Sequence, residues 1–171
     1  SVLSLRHRRY AIAHIGDTRI YLLRHGAFNR LTIDHVWDRP EMRHVLTRAV
    51  GLDRYLNLDY SDGELQQDDR FLLVSDGVWQ SLGDKTLAER LRQSTDHDQT
   101  ARELCDAALA AGSQDNVSAA IIEVRQIPEA NLQDSSESIQ SLRPPARLPI
   151  GTTIDQFTVL EVLHESRVTM L

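Results

Sequence analysis

The heptapeptide TRIYLLR, residues 18–24, is apolar on both sides of an extended chain. In a strand, Ile20 and Leu22 point to one face and Tyr21 and Leu23 to the other. A strand lined on both faces needs cover on both, which places it in a sheet packed between two layers. Two tight-turn signals bracket it, Gly16 with Asp17 and His25 with Gly26. Further β-prone runs lie beyond them, YAIAHIG (residues 10–16) and AFNRLT (residues 27–32). The economical reading of this third of the chain is a meander of antiparallel strands.

The pattern then changes period. In DRPEMRHVLTRAVG, Asp38 can cap a short helix, Pro40 suits only its first turn, and Gly51 stops it. YLNLDYSDGEL reads as an extended segment with a turn at Ser61-Asp62-Gly63, and DDRFLLVSDG as another turn followed by a strongly apolar strand. DKTLAERLRQS predicts a helix from an Asp84 cap, with Leu87 and Leu91 four apart. DQTARELCDAALAAG places Ala101, Leu104, Cys105, Ala108 and Leu109 on one stripe and ends at Gly112. Cys105, on that stripe, reads as a small core residue rather than a nucleophile. NVSAAIIEV is a closing strand. Strands, two helices and a strand make an α+β sandwich, not a βαβ repeat.

After Val124 the composition breaks: QIPEANLQDSSESIQSLRPPARLPI has no sustained apolar period and reads as a linker. FTVLEVL then regains strand character. The expected division is residues 1–126, a linker over 127–150, and a further segment over 151–171.

Several function classes drop out. The single cysteine allows no internal disulfide framework and fits a reducing compartment. The net charge of −6 argues against a nucleic-acid surface. No apolar run approaches the roughly 20 residues of a membrane span, and the opening SVLSLRHRRY turns polar too early for a leader, so a cytoplasmic location is expected. Lys85, the only lysine, follows no glycine-rich loop, which excludes a P-loop.

Three acids share one topological feature. Asp17 sits in the turn between two strands, Asp76 follows the run FLLVS, and Asp115 precedes VSAAII. If those strands are neighbours, the carboxylates converge at one sheet edge. Their mutual repulsion and desolvation would then favour a bound cation, with oxygen ligands suited to Mg²⁺ or Mn²⁺. Spacing alone leaves open that Asp-Gly and Gly-Asp are only turn formers.

IGDTRIYLLRHGAFNRLTIDHV, HVLTRAVG, DDRFLLVSDGVWQSLGD and GSQDNVSAAII occur in this order. Together, over about residues 5–125, they resemble the C-terminal half of the metal-dependent, 2C-type serine/threonine protein phosphatases. The resemblance implies a partial four-layer α-β-β-α sandwich of antiparallel sheets flanked by helices. It also implies hydrolysis of phosphoserine or phosphothreonine in proteins with the help of two Mn²⁺ or Mg²⁺ ions. On it, Asp76 and Asp115 match metal-binding aspartates, and Asp17 matches the aspartate that holds a third, weaker ion alongside Asp76. Asp34 and His35 match a DH pair read as structural. His14 has no metal role, Trp79 packs, and Asn116 supports the loop that aims Asp115.

The aspartate that bridges both ions and the phosphate-gripping arginine of the family match nothing in this sequence. They are expected upstream of Ser1, so the chain reads as part of a longer protein and by itself inactive. The spacing between DHVW and HVLTRAVG is short, which predicts a short flap over the site. GTTIDQFTVLEVLHESRVTML resembles the opening strand of a protein kinase domain, as in bacterial phosphatase–kinase fusions, with HESRVTML in place of the glycine-rich loop. A pseudophosphatase that binds a phosphoprotein or regulates an attached kinase is the other reading.

Overall fold

The computed structural model describes residues 1–37, 45–52, 55–129, 150–151, 153–154, 157–158 and 160. Up to Glu129 the chain forms one compact unit. Its strands are β1 (Val2–Arg6), β2 (Arg9–His14), β3 (Arg19–Arg24), β4 (Ala27–Arg30), β5 (Asp59–Glu64), β6 (Arg70–Val74) and β7 (Ala119–Glu123). Helices α1 (Asp76–Gln93) and α2 (His97–Ala110) lie between β6 and β7 in sequence. One antiparallel sheet has the order β1-β2-β5 and the other β4-β3-β6-β7.

Strand β3 is two-sided, as its sequence predicts: Ile20, Tyr21, Leu22 and Leu23 are all buried. Ile20 and Leu22 join Phe71, Ile12, Leu65 and Val124 in the core between the sheets. There the ring of Tyr10 meets Phe71 edge-on at 5.2 Å. Tyr21 and Leu23, with Leu72 and Val74, pack instead on Val78, Leu87 and Leu91 of α1 and Leu104 and Ala108 of α2. The result is an α+β sandwich whose described layers run sheet, sheet, helices. Each fully buried aliphatic side chain contributes about 1.5–3 kcal/mol, whereas an exposed ion pair contributes about 0–1 kcal/mol. These two clusters therefore dominate the stability of the unit.

Some elements depart from the sequence reading. Val2–Arg6 forms an edge strand that the reading omits. Ser61-Asp62-Gly63 is no turn but the middle of β5. A Cβ on Gly63 would stand 2.6 Å from the Tyr10 ring, so the glycine is there to let that ring lie across the strand. Helix α1 has a first segment from Asp76 that the reading omits; Gly83, whose φ of 73° lies outside helical space, breaks it, and the expected helix follows from Asp84. Asp84 uses its carboxylate to accept from Tyr21 Oη at 2.7 Å. Helix α2 is capped by Asp96, which accepts from the Gln99 N–H. Cys105 is partly buried against the helix-side core. Asp38 and Pro40 of the expected short helix lie outside the described residues. Its described remainder, residues 45–51, is not helical, and Leu46 bridges Val36 antiparallel.

A second compact unit takes in Ala130–Leu171. Within it Phe157–Thr158, the described start of FTVLEVL, pairs antiparallel with Thr153–Ile154. No helix among the described residues is long and apolar enough to cross a membrane.

Candidate metal centre

Strand register fixes where the three acids lie. Arg19 of β3 pairs with Val74 of β6, and Val74 pairs with Ala119 of β7. Asp17 stands just before Arg19, Asp76 just after Val74 and Asp115 shortly before Ala119. All three therefore leave the four-stranded sheet at the same end.

Ser75 joins the two loops that carry Asp76 and Asp115. Its N–H donates to Ser118 O at 3.0 Å, and its hydroxyl donates to Asn116 O at 2.8 Å and accepts from Ser118 N at 3.0 Å. Main-chain N–H groups steady both acids: Gly77 N donates to Asp76 Oδ1 at 2.9 Å, and Asn116 N to Asp115 Oδ1 at 2.7 Å. Gly77 is a functional position that the sequence reading missed. A Cβ there would stand 2.6 Å from Asn116 O, so glycine is what lets α1 start directly against the Asp115 loop.

The acids feel one another. Burial pushes the Asp76 carboxyl above its ordinary range. The charge of Asp115 and a hydrogen bond shared with it push the same way, against the Gly77 N–H. Burial, and then the charge of Asp76, push Asp17 up as well. A cation relieves such repulsion, and a donor set of carboxylate oxygens suits a hard ion such as Mn²⁺ or Mg²⁺. Among the described residues, no group of three or more His, Cys, Asp or Glu is close enough to hold an ion. The arrangement is an Asp76–Asp115 pair with Asp17 alongside, and other ligands would have to complete it.

The residues read as structural surround this end. Asp34 receives Arg19 at two points, Nε to Oδ1 at 3.0 Å and Nη2 to Oδ2 at 2.7 Å. The Arg19 guanidinium lies over the Trp79 ring, 3.3 Å from its centroid, and Trp79 donates its indole N–H to Asp17 O at 2.9 Å. His35 is buried and contacts Gly16. His14 is also buried, with Nε2 2.9 Å from Ile33 O, and its ring stands 4.8 Å from that of His35. Burial holds the His14 imidazole below its ordinary value. Asn116 acts through its main chain, by the two contacts already described.

Asp59 opens β5 beside this cluster. Arg48 donates to it at 2.7 Å and His35 Nε2 lies 2.9 Å away, and these bonds hold its carboxyl at about 2, below its ordinary 3.8. A depressed acid stabilises the fold above its unfolded value, and that stability is lost as pH falls through the folded value. Replacing Arg48 by Met is therefore expected to flatten the fall in melting temperature between pH 3.8 and about 2. An unchanged acid profile would contradict this role.

Residues 59–117 match the family model for Protein phosphatase 2C. The chain resembles part of a 2C-type phosphatase domain. The serine/threonine protein phosphatase PstP of Mycobacterium tuberculosis is 30% identical over 131 residues, an alignment of 68% of this chain with 25% of that protein. Protein phosphatase 2C homolog 1 of Saccharomyces cerevisiae is 28% identical over 144 residues, covering 70% of this chain and 51% of the yeast protein. Among solved structures, PppA, a regulatory component of T6SS in Pseudomonas aeruginosa, aligns with a TM-score of 0.66 and 31% identity over 70% of this chain and 53% of its own. The catalytic domain of PstP, solved in complex with two manganese ions, aligns with a TM-score of 0.63 and 29% identity over 72% of this chain and 57% of its own. The chain thus spans about half, or less, of the length of these relatives.

Proposed function

We propose that this chain supplies one part of a metal-dependent phosphatase acting on phosphoserine and phosphothreonine in proteins. The observation that carries the reading is the meeting of Asp76 and Asp115, with Asp17 alongside, at one end of the sheet. In this reading Asp76 and Asp115 are ligands to two Mn²⁺ or Mg²⁺ ions, and Asp17 joins Asp76 at a third, weaker site. The two manganese ions of the PstP complex support that assignment. Such ions, when bound, activate a water and neutralise phosphate charge.

The part played by this chain is to hold oxygen ligands in place: the first turn of α1 presents Asp76, and the Ser75 contacts keep Asp115 beside it. The bridging aspartate and the phosphate-binding arginine come, in this reading, from sequence before Ser1. Residues 1–126 then form part of the phosphatase domain, 127–150 a linker, and 151–171 the opening of a kinase-like lobe in a signalling protein.

The test is the longer protein that contains this chain, assayed on a phosphothreonine peptide with Mn²⁺ and with EDTA. Phosphate release that requires the metal is expected. Release unaffected by EDTA would overturn the reading. Tight peptide binding with no release under Mn²⁺ would replace it with a binding module.

A further inference from the structure

We propose that Trp79 and His35 are positioning residues for Asp17, clamping the Gly16-Asp17 turn from both sides so that its carboxylate stays at the acid cluster. The inference rests on Asp17 being a metal ligand.

On one side stands His35. Its main-chain N–H donates to Gly16 O at 2.8 Å, and its ring Nδ1 accepts from the Gly16 N–H at 3.1 Å. Both main-chain groups of Gly16 therefore end on one buried residue. The other ring nitrogen, Nε2, lies 2.9 Å from Asp59 Oδ2 and against Arg48 Nη2, so both edges of the ring are held.

On the other side Trp79 donates its indole N–H to Asp17 O at 2.9 Å. The indole is itself held, since Arg19 lies on its face and is fixed by Asp34 and by Asp84 at 3.0 Å. Gly16 has a φ of 96°, a backbone conformation that glycine adopts readily, so its own conformational preference does not fix the turn. Like charge on Asp76 drives Asp17 away from the cluster in the absence of a cation. Anchors on both sides of Asp17 oppose that drift, and ligand orientation by outer contacts governs metal affinity.

The experiment counts Mn²⁺ bound to the longer protein, following free Mn²⁺ by electron paramagnetic resonance. Asp17→Asn is expected to remove the weakest site. Trp79→Phe keeps a ring under Arg19 but has no N–H, and should weaken that site about tenfold, the lower end for outer-shell changes. In the Asp17→Asn background the same change should add nothing. His35→Asn offers an amide oxygen near the Nδ1 position and should keep the affinity, whereas His35→Ala should lose about tenfold.

An Asp17→Asn protein with its full complement of Mn²⁺ overturns the ligand reading of Asp17, and the clamp with it. Loss of the site in Asp17→Asn, with unchanged affinity in Trp79→Phe and His35→Ala, overturns the clamp alone. Equal losses in His35→Asn and His35→Ala would mean that the ring packs rather than positions. Circular dichroism identifies any variant that fails to fold, and the remaining pair then decides.

Discussion

Asp76→Asn is expected to abolish Mn²⁺-dependent phosphate release by the longer protein, by roughly a hundredfold or more, while the fold persists. Two-metal sites supply several kcal/mol of charge stabilisation, and each 1.36 kcal/mol is a factor of ten in rate. Asn keeps the shape of Asp76 and an oxygen for the Gly77 N–H, but not the anionic charge that holds a cation. The metal-free protein should respond in the opposite sense. Burial and Asp115 hold the Asp76 carboxyl above its unfolded value. Ionised Asp76 therefore costs stability, a cost that is absent below the unfolded value and grows as pH rises through the folded one. A charge in the first helical turn gains about 0.3–1 kcal/mol from the helix dipole. The Gly77 N–H adds to that gain, yet the net shift is upward, so burial and repulsion win. In EDTA at neutral pH the Asn variant should melt slightly higher than the parent, and the gap should close on acidification below the ordinary carboxylate range. Undiminished turnover at saturating Mn²⁺ would remove Asp76 from the site. A lower melting temperature in EDTA would show that the dipole outweighs the repulsion.

How much of this was legible in the sequence depends on the distance over which each contact acts. TRIYLLR declared its own place because a two-sided apolar strand has few alternatives. The ends of β3, β6 and β7 followed from the same apolar runs, and with them the end of the sheet that carries Asp17, Asp76 and Asp115. The supports of Asp17 were not legible. Trp79 meets Asp17 across 62 residues and His35 meets Gly16 across 19, and no local pattern encodes either. The tripeptide Ser-Asp-Gly makes the limit plain. At Ser61-Asp62-Gly63 it runs through a strand, where the glycine lies against Tyr10. At Ser75-Asp76-Gly77 it opens a helix, where the glycine lies against Asn116. Local turn propensity reads both as turns and fits neither. In each case the glycine answers to an atom from elsewhere in the chain. The start of α1 was missed for a related reason: Val78 and Trp79 are modest helix formers, and their burial against the sheet carries that turn.

Gly77→Ala is expected to destabilise the phosphatase-like unit by about 1–3 kcal/mol, the usual cost of overpacking, and to weaken Mn²⁺ binding with it. Helix propensity alone predicts the reverse, since alanine outranks glycine by up to about 1 kcal/mol in a helix. The contact decides against propensity. The added Cβ would stand 2.6 Å from Asn116 O and 3.1 Å from Ser113 Oγ. The Ser113 hydroxyl can rotate away. The Asn116 carbonyl is main chain, and Ser75 Oγ holds it at 2.8 Å. Relief therefore requires the loop to move off α1, which breaks the Ser75 bond and draws Asp115 away from Asp76. Urea unfolding of the variant in EDTA measures the packing cost, and Mn²⁺ titration of the same protein measures the displacement of Asp115. Parental stability with parental Mn²⁺ affinity would mean that the loop gives way without moving Asp115, and that Ser75 does not fix its position.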